Sequence, residues 1–226
     1  MNRAYLLLAS THVQEGNNGT AEECLSIIQP DKKNGLPFED VSLFYLLRGI
    51  VFMNFGKQLP RLSKFLWDES RQSFEASETT FKKCLPLMFH SYCRMQLNLS
   101  RLLIYQSARS SQLDFSSTEK KLKTVESYGV DRLSAHTDCL LQLVKGELMY
   151  HMKQIETGNF LLTSAQQIAE SNCFHQESSL CEEVRQSWNE VQYKEFMDSL
   201  ESERLSKAVR NCMMTSNTYS ADESSM

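Results

Sequence analysis

The sequence predicts an all-α protein, and the distribution of its helix-breaking residues is the main reason. All four prolines, Pro30, Pro37, Pro60 and Pro86, lie in the first 86 residues, and the whole chain has only eight glycines. Proline and glycine are the residues that helix interiors tolerate least. No clear run alternates β-branched and aromatic residues with polar ones, as a half-buried strand would. We therefore expect helices throughout the chain.

Apolar spacing and capping signals place about nine helices along the chain. Thr20 and Ser116 each begin a capping box, in which a hydroxyl and a Glu three residues later satisfy free backbone N–H groups. Gly16 and Gly129 each end a helix, and Pro86 suits a first helical turn. The predicted helices are Asn2 to Gln14, Thr20 to Pro30, Asp40 to Phe55, Leu62 to Leu85, Pro86 to Ser107, Ser116 to Tyr128, Val130 to Lys153, Asn159 to Glu170 and Gln176 to Asn211.

The remaining segments are predicted to be connections or a tail. Asp31 to Glu39 contains a glycine and a proline and is expected to be a loop, and Ser110 to Ser116 is a polar connection. Met213 to Met226 is rich in serine and has no helical periodicity, which is typical of a disordered tail. The sequence thus predicts one helical domain over residues 1–212 and a disordered tail over residues 213–226.

Charge and hydropathy exclude several classes of protein. The chain has 24 Lys and Arg against 28 Asp and Glu, whereas a dedicated nucleic-acid binder normally has a basic face. The best apolar run, Leu43 to Phe55, is interrupted by Arg48 and is too short to span a membrane. The apolar stretch from Ala4 to Ala9 is shorter than the core of a signal peptide. We therefore expect a soluble intracellular protein, nuclear or cytoplasmic, with no membrane and no direct nucleic-acid partner.

The sequence contains no recognisable catalytic or metal-binding signature. Its seven cysteines have irregular spacing and no CxxC pair, so reduced core thiols are the expectation, with a disulfide framework or a structural zinc site as the alternatives. Two His-x-x-Cys pairs, His90 with Cys93 and His136 with Cys139, could each supply two ligands from one helix face, but we expect them to be packed helix residues, because no short loop brings four ligands together. We expect no enzyme activity, cofactor, metal or small-molecule substrate; an enzyme with a dispersed site is the alternative.

The first two predicted helices have the spacing of a repeated helical hairpin. In the first helix, Tyr5, Leu8, Ala9, His12 and Gly16 occupy the large, leucine, small, large and glycine positions of such a hairpin. In the second helix, its small, large and small positions are occupied by Ala21, Leu25 and Ile28. This pattern resembles the tetratricopeptide repeat, in which small residues let two antiparallel helices approach closely. The resemblance implies hairpins stacked in a right-handed solenoid.

Later helices repeat the pattern with departures. The third helix has Tyr45, Gly49, Phe52 and Gly56 at the matching positions, with Arg48 in place of the usual leucine, and the fourth supplies Ser77, Phe81 and Cys84 before Pro86. About fifteen additional residues, Lys57 to Arg71, depart from the standard period of about 34. A looser third copy has Gly146 and Met149, a turn at Gly158 and Asn159, then Ala165 and Ile168. A generic helical bundle is the alternative.

The resemblance implies a concave groove lined by the first helix of each hairpin. Mapped onto this chain, the groove consists of Leu6, Ser10, Val13, Leu43, Leu46, Ile50, Met53 and Asn54. Leu6 and Ser10 stand where the subtype that grips a carboxylate has Lys and Asn, so that clamp is absent. An apolar groove suits an extended or helical apolar segment of another protein. The alternative is that later helices of the same chain fill it.

A narrower resemblance, and the polar last helix, suggest how such a chain functions. The order of Ile28 to Asp31, Phe44 with Tyr45, and the hairpin Gly146 to Ala169 is similar to the repeat subunit of the cohesin loader. That resemblance implies a non-catalytic complex subunit that wraps a segment of a large partner; a structural segment or short isoform of a longer solenoid is the alternative. The last helix has an apolar stripe with Trp188 as its expected buried anchor, and either packs on the preceding hairpin or binds a partner helix. The stripe consists of Leu180, Val184, Trp188, Val191, Phe196, Leu200 and Leu205.

Overall fold

The prediction of an all-helical chain is confirmed by the structure, a computed structural model. It describes residues 2–30, 36–84, 88–110, 114–129 and 132–219, without the side chains of 195–197, 200 and 203–219. Within those residues the chain forms nine helices and no strand. The helices are α1 (Asn2–Gln14), α2 (Asn18–Ser26), α3 (Phe38–Gln58), α4 (Ser63–Phe81), α5 (Phe89–Ala108), α6 (Ser116–Glu126), α7 (Ala135–His151), α8 (Ile155–Ser171) and α9 (His175–Tyr219).

Consecutive helices pair as hairpins, and the hairpins contact one another in chain order. The pairs are α1–α2, α3–α4, α5–α6 and α7–α8, while α1, α3, α5 and α7 contact each other in succession. Helix α2 also packs on α3, and α4 on α5. In the second pair, Ser70 donates to the carbonyl of Gly49 and Ser77 to that of Ser42, so α4 runs antiparallel to α3. Each hairpin therefore packs against the first helix of the next.

Small residues bring α3 and α4 into close contact. A Cβ atom on Gly49 would lie 2.6 Å from the Phe74 ring, and one on Gly56 would overlap Trp67. The predicted small–large pair Ser77 and Phe81 is therefore not the one that faces Gly49; Ser70 and Phe74 are, two turns earlier. The segment predicted as additional residues, Lys57 to Arg71, forms the end of α3, the turn over residues 59–62 and the first turns of α4. It lengthens both helices of the hairpin, which is why the motif positions shift.

The sequence predicted the turn between α7 and α8 at Gly158 and Asn159, and this prediction is wrong. The chain reverses after His151, where Lys153 adopts a left-handed conformation with φ of 61°. Gly158 instead lies within α8 and is buried. It packs so closely against Tyr150 that an added Cβ atom would overlap the Tyr150 ring. Glycine is thus required at this position for close packing and not for backbone freedom.

Several helix ends differ from the predicted ones. Helix α2 begins at Asn18, two residues before the predicted capping box at Thr20, and no side chain caps it. Helix α6 begins at Ser116 as predicted, but the backbone N–H of Ser116 donates to the Asp114 carboxylate in place of a capping box. Helix α9 continues to Tyr219, within the predicted tail, and residues 220–226 lie outside the described residues, as do Pro86 and most of the loop predicted over residues 31–39.

The chain separates into two units, Met1–Cys181 and Glu182–Met226. The first contains α1 to α8 with the start of α9, and its largest apolar cluster is shared by α1 to α5 around Leu6, Leu46, Phe74 and Met95. The described part of the second is a single helix. In the described part of the chain, no helix combines the length and the apolar character that crossing a bilayer requires.

Candidate functional site

The helices α1, α3, α5 and α7 meet the start of α9 along an interior line, here called the inner seam. It contains the centre of the groove predicted from the sequence. The α1, α3 and α7 sides are mainly apolar, with Asn54 as the exception, and α5 and α9 supply polar residues together with Leu180. Its lining residues are Val13, Ile50, Met53, Asn54, Arg94, Asn98, Arg101, Leu140, Gln176, Glu177 and Leu180.

Most of the residues predicted to line a partner-binding groove are buried within the protein. Five of the eight have almost no exposed surface, Ile50 being the most exposed of them at 5%. The buried residues are Leu6, Val13, Leu46, Ile50 and Met53, and the half-buried ones are Ser10, Leu43 and Asn54. In this structure the predicted groove is therefore an interior contact and not an open surface.

A buried ion pair crosses the seam from α5 to α7. The Arg101 Nε atom lies 3.0 Å from a carboxylate oxygen of Glu147, and both side chains are at least 93% buried. Arg101 also donates through Nη2 to the hydroxyl of Tyr105. A charge so far from water is tolerated only when it is paired, so each partner requires the other. The pair fixes the relative position of α5 and α7.

A second polar pair fixes the start of α9 over the seam. The Nε2 atom of His136, on α7, lies 2.6 Å from the carboxylate of Glu177, in the first turn of α9. The His136 ring also packs against Phe174, with 4.9 Å between ring centroids. Burial alone would raise the pKa of Glu177, but the bond from His136 and the charges of His136 and Arg94 outweigh it and hold the pKa below its ordinary value. The Glu177 carboxylate is therefore ionised at neutral pH.

Arg94 provides the third charge at this point. Its Nε atom is buried and makes no hydrogen bond to any described atom. Burial lowers the pKa of Arg94 while the charge of Glu177 raises it, and the net direction is down. Arginine remains protonated through such shifts. Arg94 and His136 thus face the same carboxylate from two different helices.

Little free space remains between these side chains. The crevice between them has a volume of about 20 Å³. A single buried water needs roughly 10–15 Å³ of such space, and a small-molecule pocket has several hundred. The crevice is therefore large enough for one water molecule and too small for a side chain of a partner.

The cysteine and histidine pairs from the sequence do not converge. Cys93 and Cys139 are fully buried, and burial raises the pKa of their thiols to about 11 and about 12. The Cys139 thiol donates to the carbonyl of Ala165, and His136 contacts Glu177. Among the described residues, no three His, Cys, Asp or Glu side chains are placed to hold a metal ion. Both thiols are protonated at neutral pH and serve in packing.

The described part of the second unit shows a graded apolar stripe. Val184 and Trp188 are half-buried and Val191 is exposed, so Trp188, the expected buried anchor, is buried only in part. The predicted continuation at Phe196, Leu200 and Leu205 lies outside the described side chains.

Sequence reasoning found the apolar side of the seam and missed the polar side. Arg94, Arg101, Glu147 and Glu177 were not among the predicted site residues. One local signal was present, because Arg101 and Glu147 each interrupt an otherwise apolar helix face: Leu97 and Ile104 flank Arg101 at helical spacing. Their pairing joins residues 46 positions apart and has no local signature.

No protein-family model, curated protein or solved structure matches this chain.

Proposed function

We propose that this chain is a non-catalytic subunit of a protein complex, built as a right-handed tetratricopeptide-like solenoid. The observation that carries the proposal is the order of helix contacts, in which α1, α3, α5 and α7 follow one another and each pairs with the next helix along the chain. Stacks of hairpins of this kind act through their surfaces, because each hairpin contacts only its neighbours. The protein would act within the cell, in the nucleus or cytoplasm.

The proposed binding site is the inner seam, occupied in the free chain by the first turns of α9. Glu177 and Leu180 line the same crevice as Val13, Ile50 and Met53 there. The polar attachment of this cover is the His136–Glu177 bond, and a charged hydrogen bond contributes about 1.5–3 kcal/mol. A partner that buries two leucine-sized side chains gains about 1.5–3 kcal/mol for each of them. An apolar segment can therefore displace the start of α9 and bind in its place.

The partner proposed is an extended or helical apolar segment of another protein. The resemblance to the repeat subunit of the cohesin loader makes the N-terminal segment of that complex's large subunit the first one to test. The closed seam also favours a second function, in which the chain is a structural segment of a larger helical-repeat assembly and the seam stays filled.

The test compares the affinity of this large-subunit segment for the wild type and for two matched variants. Glu177→Ala removes the bond to His136, whereas Glu156→Ala removes an exposed carboxylate from the first turn of α8. If the start of α9 competes with the partner, Glu177→Ala tightens the dissociation constant about tenfold, which corresponds to about 1.4 kcal/mol. Glu156→Ala should leave it unchanged.

Isothermal titration calorimetry with the purified segment measures both effects. Absence of binding by the wild type and by Glu177→Ala at 100-fold molar excess rejects this partner. Binding that Glu177→Ala weakens rejects the proposed displacement, because Glu177 would then contact the partner directly.

A further inference from the structure

The turn between α3 and α4 carries three large apolar side chains that are exposed on one face. Leu59, Leu62 and Phe65 are 48%, 55% and 64% exposed. The backbone N–H of Leu62 donates to the carbonyl of Leu59, and Phe65 follows at the same interval in the first turn of α4. Side chains three residues apart in such a turn lie on the same side. Single exposed leucines are ordinary on a protein surface, but three on one face mark a contact surface.

Positive charge accompanies this apolar face. Arg61 and Lys64 are exposed and alternate with the apolar residues along the chain. Residues 57–67 contain no Asp or Glu, although the whole chain has a net charge of -4. The two acidic residues that follow, Asp68 and Glu69, each lie near an arginine of the same hairpin, at 3.2 and 3.9 Å. The end of this hairpin is therefore a positive region on an acidic protein.

Contacts with α5 hold two further cations beside the turn. Arg109, just after the end of α5, donates through Nη1 to the Ser63 hydroxyl at 2.6 Å, and its guanidinium lies 4.6 Å from the centroid of the Trp67 ring. The Nζ atom of Lys57 lies 5.2 Å from the centroid of the Tyr105 ring. Contacts of a cation with an aromatic face restrain the side chain without removing its charge. The positive region thus includes residues of α3, α4 and the end of α5.

The combination of apolar and positive side chains fits an anionic membrane surface. Residues 58–62 are all exposed, so the apolar side chains stand on a protruding turn. A partner helix docks into a groove that encloses its apolar face, which a protruding turn does not offer. A bilayer accepts apolar side chains at the depth of its headgroups, and its anionic lipids attract lysine and arginine. Two copies of the chain that met through this turn would instead bring like charges together.

We infer that the α3–α4 turn is a peripheral binding site for membranes that contain anionic phospholipids. Leu59, Leu62 and Phe65 enter the interfacial layer, while Arg61 and Lys64 contact the charged headgroups. Both parts are needed, because a few apolar side chains bind weakly and salt screens the cations. The sequence-based expectation of no membrane partner concerned spanning segments, whereas this contact is peripheral. The inference does not depend on a partner in the inner seam.

Co-sedimentation of the full chain with sucrose-loaded vesicles tests the site. The wild type should bind phosphatidylcholine vesicles with roughly one third phosphatidylserine at least about tenfold more tightly than vesicles of phosphatidylcholine alone. Arg61→Glu combined with Lys64→Glu should lower the partition coefficient at least about tenfold. The matched control is Lys120→Glu combined with Lys123→Glu, which reverses two exposed charges at the same spacing on α6. That control should leave the partition coefficient within about threefold of the wild type, because only the weak effect of net charge changes.

A second pair of variants tests the apolar part of the site. Phe65→Ser should lower the partition coefficient about tenfold, because it removes a large side chain from the interfacial layer. Its control is Phe160→Ser, at a phenylalanine of α8 that is 74% exposed and has Glu156 four residues before it, where Phe65 has Arg61. That variant should bind as the wild type does, and circular dichroism checks that all variants keep their helicity.

Three results would overturn the inference. The first is a wild type that does not bind the anionic vesicles, which is also how a turn covered by an acidic protein would appear. The second is binding that Phe65→Ser leaves intact. The third is an equal loss of binding in the two charge-reversed variants, because general attraction to the surface would then explain it without the α3–α4 turn.

Discussion

Substitution of Gly49 by alanine tests the close approach of α3 and α4 on which the hairpin packing depends. The new Cβ atom would lie 2.6 and 2.7 Å from two carbons of the Phe74 ring, which has no exposed surface and no room to turn away. Relief requires the helices to separate, and separation stretches the 2.7 Å bond from Ser70 to the Gly49 carbonyl. The substitution therefore acts on packing and on a buried hydrogen bond together.

The net effect follows from three contributions of opposite sign. Overpacking costs about 1–3 kcal/mol and the weakened hydrogen bond about 1 kcal/mol, whereas alanine gains about 1 kcal/mol of helix propensity over glycine. We expect Gly49→Ala to lower the free energy of unfolding by about 1–3 kcal/mol. Its control is Gly19→Ala in α2, where a Cβ meets no atom within 4 Å. That variant should gain at most about 1 kcal/mol.

Urea unfolding followed by circular dichroism gives both values, provided that the slope with urea stays the same. A Gly49→Ala protein as stable as the wild type would refute the contact between Gly49 and Phe74. So would an equal gain of stability in the two variants, because propensity alone would then explain both.

Three further predictions concern the charged pairs and the α7–α8 turn. Arg101→Met should cost about 3–5 kcal/mol in chemical unfolding by leaving Glu147 buried and unpaired, and the double variant with Glu147→Leu should recover most of it. Because the pKa of Glu177 is lowered in the folded state, its stabilisation is complete above the ordinary value of 4.5 and is lost as the pH falls through the folded value. The stability difference between wild type and Glu177→Gln should therefore shrink below pH 4.5 in thermal melts at stepped pH. Gly158→Ala should lower the free energy of unfolding by about 1–3 kcal/mol, because its Cβ atom overlaps the Tyr150 ring. Lys153→Gly should raise it by up to about 1 kcal/mol, because glycine adopts a positive φ without strain. Opposite signs in urea unfolding would instead indicate that the turn lies at Gly158.

Local rules predicted the helices well and their ends less well. Helix α1 has its predicted bounds, Asn2–Gln14, because the apolar period and Gly16 both act within a few residues. The prediction that a capping box at Thr20 begins α2 is wrong, because the helix begins at Asn18. The side chain of Asn18 accepts a hydrogen bond from Asn54, 36 residues away, which holds this residue at the start of the helix. A cap is a local signal that a distant contact can override.

The candidate site shows the same division between local and distant information. The apolar residues of the seam follow from helical spacing, so Val13, Ile50 and Met53 were predicted to lie together, and they do. The sequence left open whether a partner or later helices of the same chain fill the groove, because the burial of these residues depends on contacts made far along the chain. His136 meets Glu177 over 41 residues, and neither has a neighbour that indicates the pairing.

The hairpins α3–α4 and α7–α8 indicate that steric fit, and not a fixed sequence period, determines how paired helices pack in this chain. In α3–α4 a glycine, Gly49, lies under a large ring from the second helix, and a serine donates to the carbonyl of that glycine. In α7–α8, a Cβ atom on Gly146 would lie 2.9 Å from Leu162, and the thiol of Cys139 donates to the carbonyl of Ala165. The arrangement recurs with a leucine in place of the ring, a different donor and an irregular spacing. Close approach needs only a missing side chain on one helix and a small donor in the contact, and many sequences meet those conditions. A search for a constant period therefore recovers the first hairpin and shifts the second by two turns.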